Sequence, residues 1–501
     1  MSKKNIAVTA GMISLLTMIS KCIGFVREMV MAGCYGTSRI SDIYVLSNTI
    51  PTGVLESLFL AVATAYMPLL AENYRKGNAD RFTRQVITIM NMIAAVSVLL
   101  GCLCSGWLVR MFGYSGDAAR IAEFFCRVSF CFVMFSSVIQ IQTSYLQYKG
   151  VFLPQIIAGY TMSMSIIVFI ILSKKVSIYL LPFGYLVGYF LQMVLQRQFM
   201  KRVGYRHRID VHFSQTARDI ARFAPMVFVG GMVSYINQFI DKMFATSLSE
   251  GSVSSLNYAV LVQTMIISVT GTVITTLIYP ELTRAAAGGE LKAFENMLKR
   301  GISLIIIITV PFAFGIMAFH NEVVQVIFER GAFGSASTDM TSSAFLCYGV
   351  GIVFSALNAL IVQAYYSLKD MKTSVWCGML GVAVNISMDW LLIKFMGNAG
   401  LALASSLAAL VNTVTLILLF RKKYAGIRMF ESAKKVAAVT AAAGIAVISA
   451  RVVYSALAYA VWMPRLCYLL LAVASAGIIY CALLWKMGIE EAEMVKKMFR
   501  R

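Results

Sequence analysis

Apolar runs of about twenty or more residues, broken by short polar turns, recur along the whole chain. Fourteen are recognisable: 5–33, 41–70, 85–112, 120–147, 153–173, 177–199, 218–247, 253–281, 299–319, 338–367, 373–394, 398–420, 435–458 and 465–486. About 20 apolar residues are what an α-helix needs to cross the hydrocarbon core of a bilayer. In lipid every backbone polar group must be satisfied internally, and the alternating pattern of a β-barrel strand is absent, so each run is expected to be a helix. The pattern predicts an all-α polytopic membrane protein with about 14 transmembrane helices.

The pattern also repeats. GFVREM (24–29) and QFIDKM (238–243) each place an opposite-charge pair after an aromatic residue. MPLLAENYRKGN (67–78) and YPELTRAAAGGE (279–290) each close a long helix with Pro and a polar, basic loop. Arg27 and Asp241 are 214 residues apart, Pro68 and Pro280 212. Two six-helix pseudo-symmetric lobes follow, 1–215 and 216–430, with two further helices and a basic tail in 431–501. Because six is even, the lobes share one orientation, the parallel-repeat arrangement of transporters that hold substrate between halves. Gly24 and Pro51 are candidate bending points.

Composition agrees with the membrane reading. The chain is 59% hydrophobic and 13% charged, against roughly 25% charged residues in soluble proteins. Its net charge of +21 raises nucleic acid as a partner, but no basic stripe or stacking platform accompanies it. The charge instead follows loop polarity. With both termini cytoplasmic, inside loops and span ends collect 30 of the 44 Lys and Arg, and outside loops nine; cytoplasmic loops are where such residues gather. The tail residues Lys496, Lys497, Arg500 and Arg501 suit a surface near anionic lipid. The first apolar run resembles a signal peptide, yet continues past Lys21 with no convincing cleavage site, and reads as a retained span. None of the ten cysteines forms a C-x-x-C pair or joins a zinc-like cluster.

Against this background the ionisable residues inside apolar runs stand out, since such groups are expensive in lipid and usually face a bundle interior or a wet cavity. Lys21, Arg27 and Glu28 lie in the first run, Glu56 in the second, and Asp42 at the second run's mouth. This helix pair is expected to line a cavity for an anionic lipid head group. Arg27 offers a planar fork for phosphate oxygens and Lys21 a compact charge; Glu28, Asp42 and Glu56 are candidate gating or orienting groups. A second constellation lies further on. Asn385 and Asp389 share a helix face at four-residue spacing, and Asp241 and Ser405 can add oxygens, a donor set suited to an alkali cation. No phosphate-binding loop, metalloprotease motif or nucleophile elbow is present. No catalytic residue and no tightly held cofactor are therefore expected, and the energy sources left are the membrane potential and a cation gradient.

Several stretches resemble one family. SKCIGFVREMVMAGCYG (20–36), Asp42, Ile50–Pro51, MPLLAE (67–72), GSVSSLNYA (251–259), FERGAFGSASTDMT (328–341) and AYYSLKDMKTS (364–374) look like the MurJ/MviN family of lipid II flippases, within the superfamily of multidrug and polysaccharide exporters. The resemblance covers most of the chain in order. It implies a V-shaped bundle in a bacterial cell membrane, with spans 1, 2, 7 and 8 around a cationic cavity and spans 13 and 14 forming a groove for a polyprenyl tail. It implies the carriage of undecaprenyl-diphosphate-linked peptidoglycan precursor (lipid II) between leaflets by alternating access, with membrane lipids and cell-wall synthesis proteins as partners and sodium as a candidate coupling ion. The chain departs from the family pattern at Val54, Leu55 and Glu56, where an arginine pair is usual, at Val260 and Leu261, where an Asp-Arg pair is usual, and at Lys21, where Arg is usual. Flipping of another polyprenyl-diphosphate glycan and a transport-dead scaffold thus stay open as alternatives. A twelve-span drug extruder fits poorly with the extra spans, and a glycan polymerase lacks a sizeable catalytic loop.

Overall fold

The computed structural model describes residues 3–210, 218, 228, 235–430, 433–460 and 463–488. All regular structure among them is helical. Twelve helices there are long and apolar enough to cross a membrane, and the first helix, α1 (Lys3–Tyr35), adds 33 helical residues. The expected span 218–247 lies mostly outside the described residues, although 235–246 are helical. The basic tail beyond residue 488 lies outside them too.

The chain divides into two compact units, Met1–Ser254 with Arg330–Phe333, and Ser255–Glu329 with Gly334–Arg501. In the first, α1 is followed by α2 (Arg39–Thr49), a widened π turn (Ile50–Leu55) and α3 (Glu56–Arg75), which run on as one span. Ser38 caps the start, its Oγ accepting from the Ser41 N–H at 3.4 Å. The π turn falls at Pro51 for a physical reason: proline has no N–H to close the ordinary turn, and a one-residue widening absorbs the mismatch. Then come α4 (Ala79–Met111), α5 (Gly116–Tyr148), α6 (Leu153–Lys175) and α7 (Phe183–Arg202). Aromatic side chains fill the core between them, among them Phe59, Tyr66, Phe82, Phe132 and Tyr145. Tyrosine hydroxyls buried there have partners: Tyr66 with Thr83 Oγ1 at 2.8 Å and Tyr145 with Asp80 Oδ1 at 3.1 Å. Gly101 of α4 lies so close under Phe130 of α5 that a Cβ would come within 2.2 Å of the ring. Small residues permit such close helix approach in membranes.

The second unit begins within α8 (Ser252–Val273), which continues through another π turn (Ile274–Ile278) to α9 (Tyr279–Ala287). It holds α10 (Leu291–Phe328), α11 (Ser335–Ser367), α12 (Met371–Met396) and α13 (Asn398–Lys423), then the last pair, α14 (Ala433–Ala460) and α15 (Arg465–Lys486), both packed on α10. The helix order of the first unit recurs: α4 and α10 begin 212 residues apart, at Ala79 and Leu291. Helices overrun their apolar cores. The expected span 299–319 is the middle of a 38-residue helix, because its amphipathic ends continue past the lipid-matched stretch.

Pro311 interrupts α10 and leaves the carbonyl of Ile307, four residues earlier, without its helical donor. The Tyr480 hydroxyl of α15 donates to that carbonyl at 2.8 Å, so the terminal helix repairs the proline defect. Tyr480→Phe keeps the ring and removes the donor. It is expected to cost about 1 kcal/mol and to lower the thermal unfolding midpoint in detergent; an unchanged midpoint would remove this role.

Candidate functional site

Arg27 and Glu28 sit in α1, two turns before its C-terminal end. Side chains of adjacent helical residues do not naturally face each other, but the long arginine curls back. Its Nη2 and Nε donate to one Glu28 oxygen, Oε1, at 2.7 and 3.0 Å. The guanidinium also lies 5.9 Å from the centroid of the Tyr185 ring on α7, within the range of a cation–π contact. The two side chains remain 20% and 16% exposed, so the pair is pre-formed yet open to a ligand. Glu28 has a second cation within electrostatic reach, Lys242, whose Nζ donates to Thr49 Oγ1 on α2 at 3.1 Å. Asp241 bears on the same ammonium. The result is a mixed-charge cluster at membrane depth, in which Arg27 presents the fork.

Glu56 does not face this cluster as a bare carboxylate. The Tyr189 hydroxyl on α7 donates to its Oε1, and the Tyr189 ring stacks on Phe132 at 4.8 Å. Tyr185 and Tyr189 are four residues apart, so one face of α7 serves both Arg27 and Glu56. Lys21 stands apart: its side chain is exposed, and six residues of helix separate it from Arg27, about 9 Å along the axis.

Asp42 has another setting. It is 5% exposed and accepts from the N–H groups of Gly251, just before α8, at 2.7 Å and of Ser254, in the first turn of α8, at 2.8 Å. A carboxylate there meets the free N–H groups and positive end of a helix. Around it, three backbone approaches surround the turn between α1 and α2. Ala332 N–H donates to Gly33 O at 2.8 Å. A Cβ at Gly36 (φ +56°) would come 2.4 Å from Ala332 O, at Gly331 (φ +60°) 2.3 Å from Gly33 O, and at Gly251 (φ +89°) 2.2 Å from Thr37 O. Only glycine permits both the positive φ and the contact. Asp42 and these glycines form a clasp holding 251–254 and 330–333 to the turn.

The expected cation ligands divide between the units, Asp241 in the first and Asn385, Asp389 and Ser405 in the second. Asn385 and Asp389 of α12 are 1% and 0% exposed, and Asn385 Nδ2 donates to Asp389 Oδ2 at 2.7 Å. Ser405 is on α13, which packs against α12. Among the described residues no group of three His, Cys, Asp or Glu has metal-binding proximity, so a site at α12 would combine the Asp389 carboxylate with amide and hydroxyl oxygens.

A family model described as lipid II flippase MurJ matches residues 31–473. The chain belongs to that family. A Vibrio cholerae serotype O1 protein named probable lipid II flippase MurJ is 26% identical over 429 residues, 81% of each chain. A Burkholderia cenocepacia protein named lipid II flippase MurJ is 25% identical over 431 residues, 82% of this chain and 83% of its own. A solved structure of lipid II flippase MurJ in an inward closed conformation superposes with a TM-score of 0.80 at 20% identity, covering 94% of this chain and 97% of that one. An inward-facing multidrug resistance MATE family transporter of the MOP superfamily gives 0.69 at 12%, covering 82% and 96%. At these identities the two structures establish the fold of a multi-pass membrane protein. The clasp glycines all lie in stretches that carry the family resemblance, 20–36, 251–259 and 328–341. Tyr185, Tyr189 and the Lys242–Thr49 contact escaped sequence reading; the four-residue spacing of the tyrosines was the available signal.

Proposed function

We propose that this protein is a lipid II flippase, carrying the undecaprenyl-diphosphate-linked peptidoglycan precursor from the inner to the outer leaflet by alternating access. The observation that carries the reading is Arg27, a membrane-embedded guanidinium held by a single Glu28 oxygen, partly exposed, in a chain of this family. A diphosphate cannot cross about 30 Å of hydrocarbon unaided. It can compete with Glu28 for the Arg27 fork, since both are oxyanions and the fork suits phosphate. Lys242 is a second cation for the Glu28 carboxylate once Arg27 turns to substrate. Glu56 replaces an expected arginine, but its bond from Tyr189 takes that acid into an aromatic stack. Lys21, exposed on the same helix, is an approach contact. Asp42 and the clasp glycines are the gate, and the 431–501 segment serves the lipid tail. Both termini lie in the cytoplasm on the Lys and Arg distribution, and the protein works beside cell-wall synthesis enzymes without itself doing catalysis.

Complementation tests the reading. A host depleted of its own lipid II flippase should survive on this chain, with lipid II labelled at the outer surface. Failure to rescue despite confirmed membrane insertion would overturn it and favour another polyprenyl-linked glycan.

Sodium is the proposed coupling ion. Asn385 and Asp389 supply buried hard oxygens, and Ser405 stands on the adjoining helix; Asp241 belongs to the other unit. A bound sodium ion would supply a charge that couples transport to its gradient. Asp389→Asn removes the formal charge with little change in shape. Transport by this variant in proteoliposomes should lose its dependence on sodium, and retained dependence would move the ion elsewhere.

A further inference from the structure

A cavity of about 130 Å3 opens at the end of the first unit where α7 finishes. Its polar lining is Asn91 of α4, Gln142 of α5, Arg197 and Lys201 of α7, and Tyr205 and His207 just beyond. Among the described residues, none of those lining it is a carboxylate. Arg197 and Lys201 are four residues apart, neighbours on one helix face, where like charges repel. The charges of Arg197 and Arg84 also bear on His207, which burial first and those two cations next hold below its ordinary 6.5. Asp210 in the same loop is engaged elsewhere, accepting from Arg81 at 3.3 Å and Gln85 at 3.5 Å. Asp80, whose charge bears on Tyr205, accepts from the Tyr145 hydroxyl and is not part of the lining, so the cavity wall itself carries cations and no carboxylate.

Gln142 adds a second, independent requirement. It is 3% exposed, and its Oε1 has no hydrogen-bond partner. A buried amide oxygen is an acceptor calling for a donor, which the cations beside it do not supply. The space exceeds that of a single water, about 30 Å3 of liquid volume. One ligand answers both demands: an anion for the cations, with a hydroxyl for Gln142. We propose that this cavity binds a phosphate ester carrying a free hydroxyl, the chemistry of a glycerol-phosphate lipid head group or of a soluble polyol phosphate. The site is separate from Arg27 and Glu28 and goes beyond the transported substrate. Ile87, Val138, Met193 and Met200 complete the lining and give it an apolar wall beside the polar groups.

The test uses the full chain in phosphatidylcholine nanodiscs containing spin-labelled phosphatidylglycerol or phosphatidylethanol, a phosphodiester of the same single charge whose head group has no hydroxyl. The immobilised fraction gives the affinity. Wild type should prefer phosphatidylglycerol to both other lipids. Arg197→Gln with Lys201→Gln, two exposed positions that leave the fold intact, should weaken phosphatidylglycerol at least about tenfold. Gln142→Leu should remove the preference over phosphatidylethanol while leaving phosphatidylethanol bound. Displacement by glycerol 1-phosphate would assign the site to a soluble ligand, and its absence to the lipid; either supports the proposal. Unchanged phosphatidylglycerol binding in the double variant, or no preference over phosphatidylcholine in wild type, would overturn it. A preference surviving Gln142→Leu would overturn the hydroxyl contact.

Discussion

Arg27→Ala should abolish rescue of a flippase-depleted host while the protein still inserts and accumulates. Truncating one partner of a buried, hydrogen-bonded charge contact typically costs about 2–5 kcal/mol. At about 1.4 kcal/mol per decade, that is a loss of between roughly thirtyfold and several thousandfold. Arg27→Lys should retain partial activity, since it keeps the charge but loses the fork and the flat face over Tyr185. The loss in Arg27→Ala has two possible physical sources, and a double variant separates them. If Arg27 merely neutralises Glu28, then Arg27→Ala with Glu28→Ala removes the stranded carboxylate and restores transport. If the guanidinium contacts the diphosphate, the double variant stays inactive. Lipid II flipping in proteoliposomes is the measurement, and restored flipping in the double variant would remove Arg27 from the substrate site.

The architecture was legible because membrane helices announce themselves in composition. Thirteen of the expected spans correspond to described helices, and the repeat of Pro68 at Pro280 follows the recurrence of helix order in the two units. The Arg27–Glu28 pair was legible for the same reason: charge in an apolar run has few explanations. The partners of those charges were not, because they come from distant parts of the chain. Nothing local to Glu56 announces Tyr189, 133 residues away. Nothing local to Thr49 announces Lys242, 193 residues away. Asp42 was legible as a polar group at a helix mouth, but its role as a cap on residues 251–254 depends on the fold bringing a second helix start to it. The glycines of the clasp were present in the family-like stretches, yet a glycine shows its reason only once the opposing backbone is placed.

Asp42→Ala should release the clasp without unfolding the unit. The substitution removes two hydrogen bonds to a charged acceptor, each worth about 1.5–3 kcal/mol, and leaves the Gly251 and Ser254 N–H groups unsatisfied. The packed cores around Phe59 and Phe125 are untouched, so the loss is local. Amide hydrogen exchange reads it directly: protection at Gly251 and Ser254 should fall about a hundredfold or more. Ala332 is the informative control, because its N–H donates to Gly33 O and does not touch Asp42. If the clasp is one cooperative element, exchange at Ala332 rises with that at Gly251 and Ser254. If it does not rise, the two attachments open separately. Gly36→Ala attacks from the other side, since its Cβ would sit 2.4 Å from the Ala332 carbonyl oxygen. It should expose Ala332 first. If the clasp is the gate proposed above, both variants should lower net transport even though Arg27 and Glu28 are unaltered. Normal transport with unprotected amides at 251–254 would show that the clasp is only an anchor. Loss of transport with protection retained would place the defect of Asp42→Ala elsewhere.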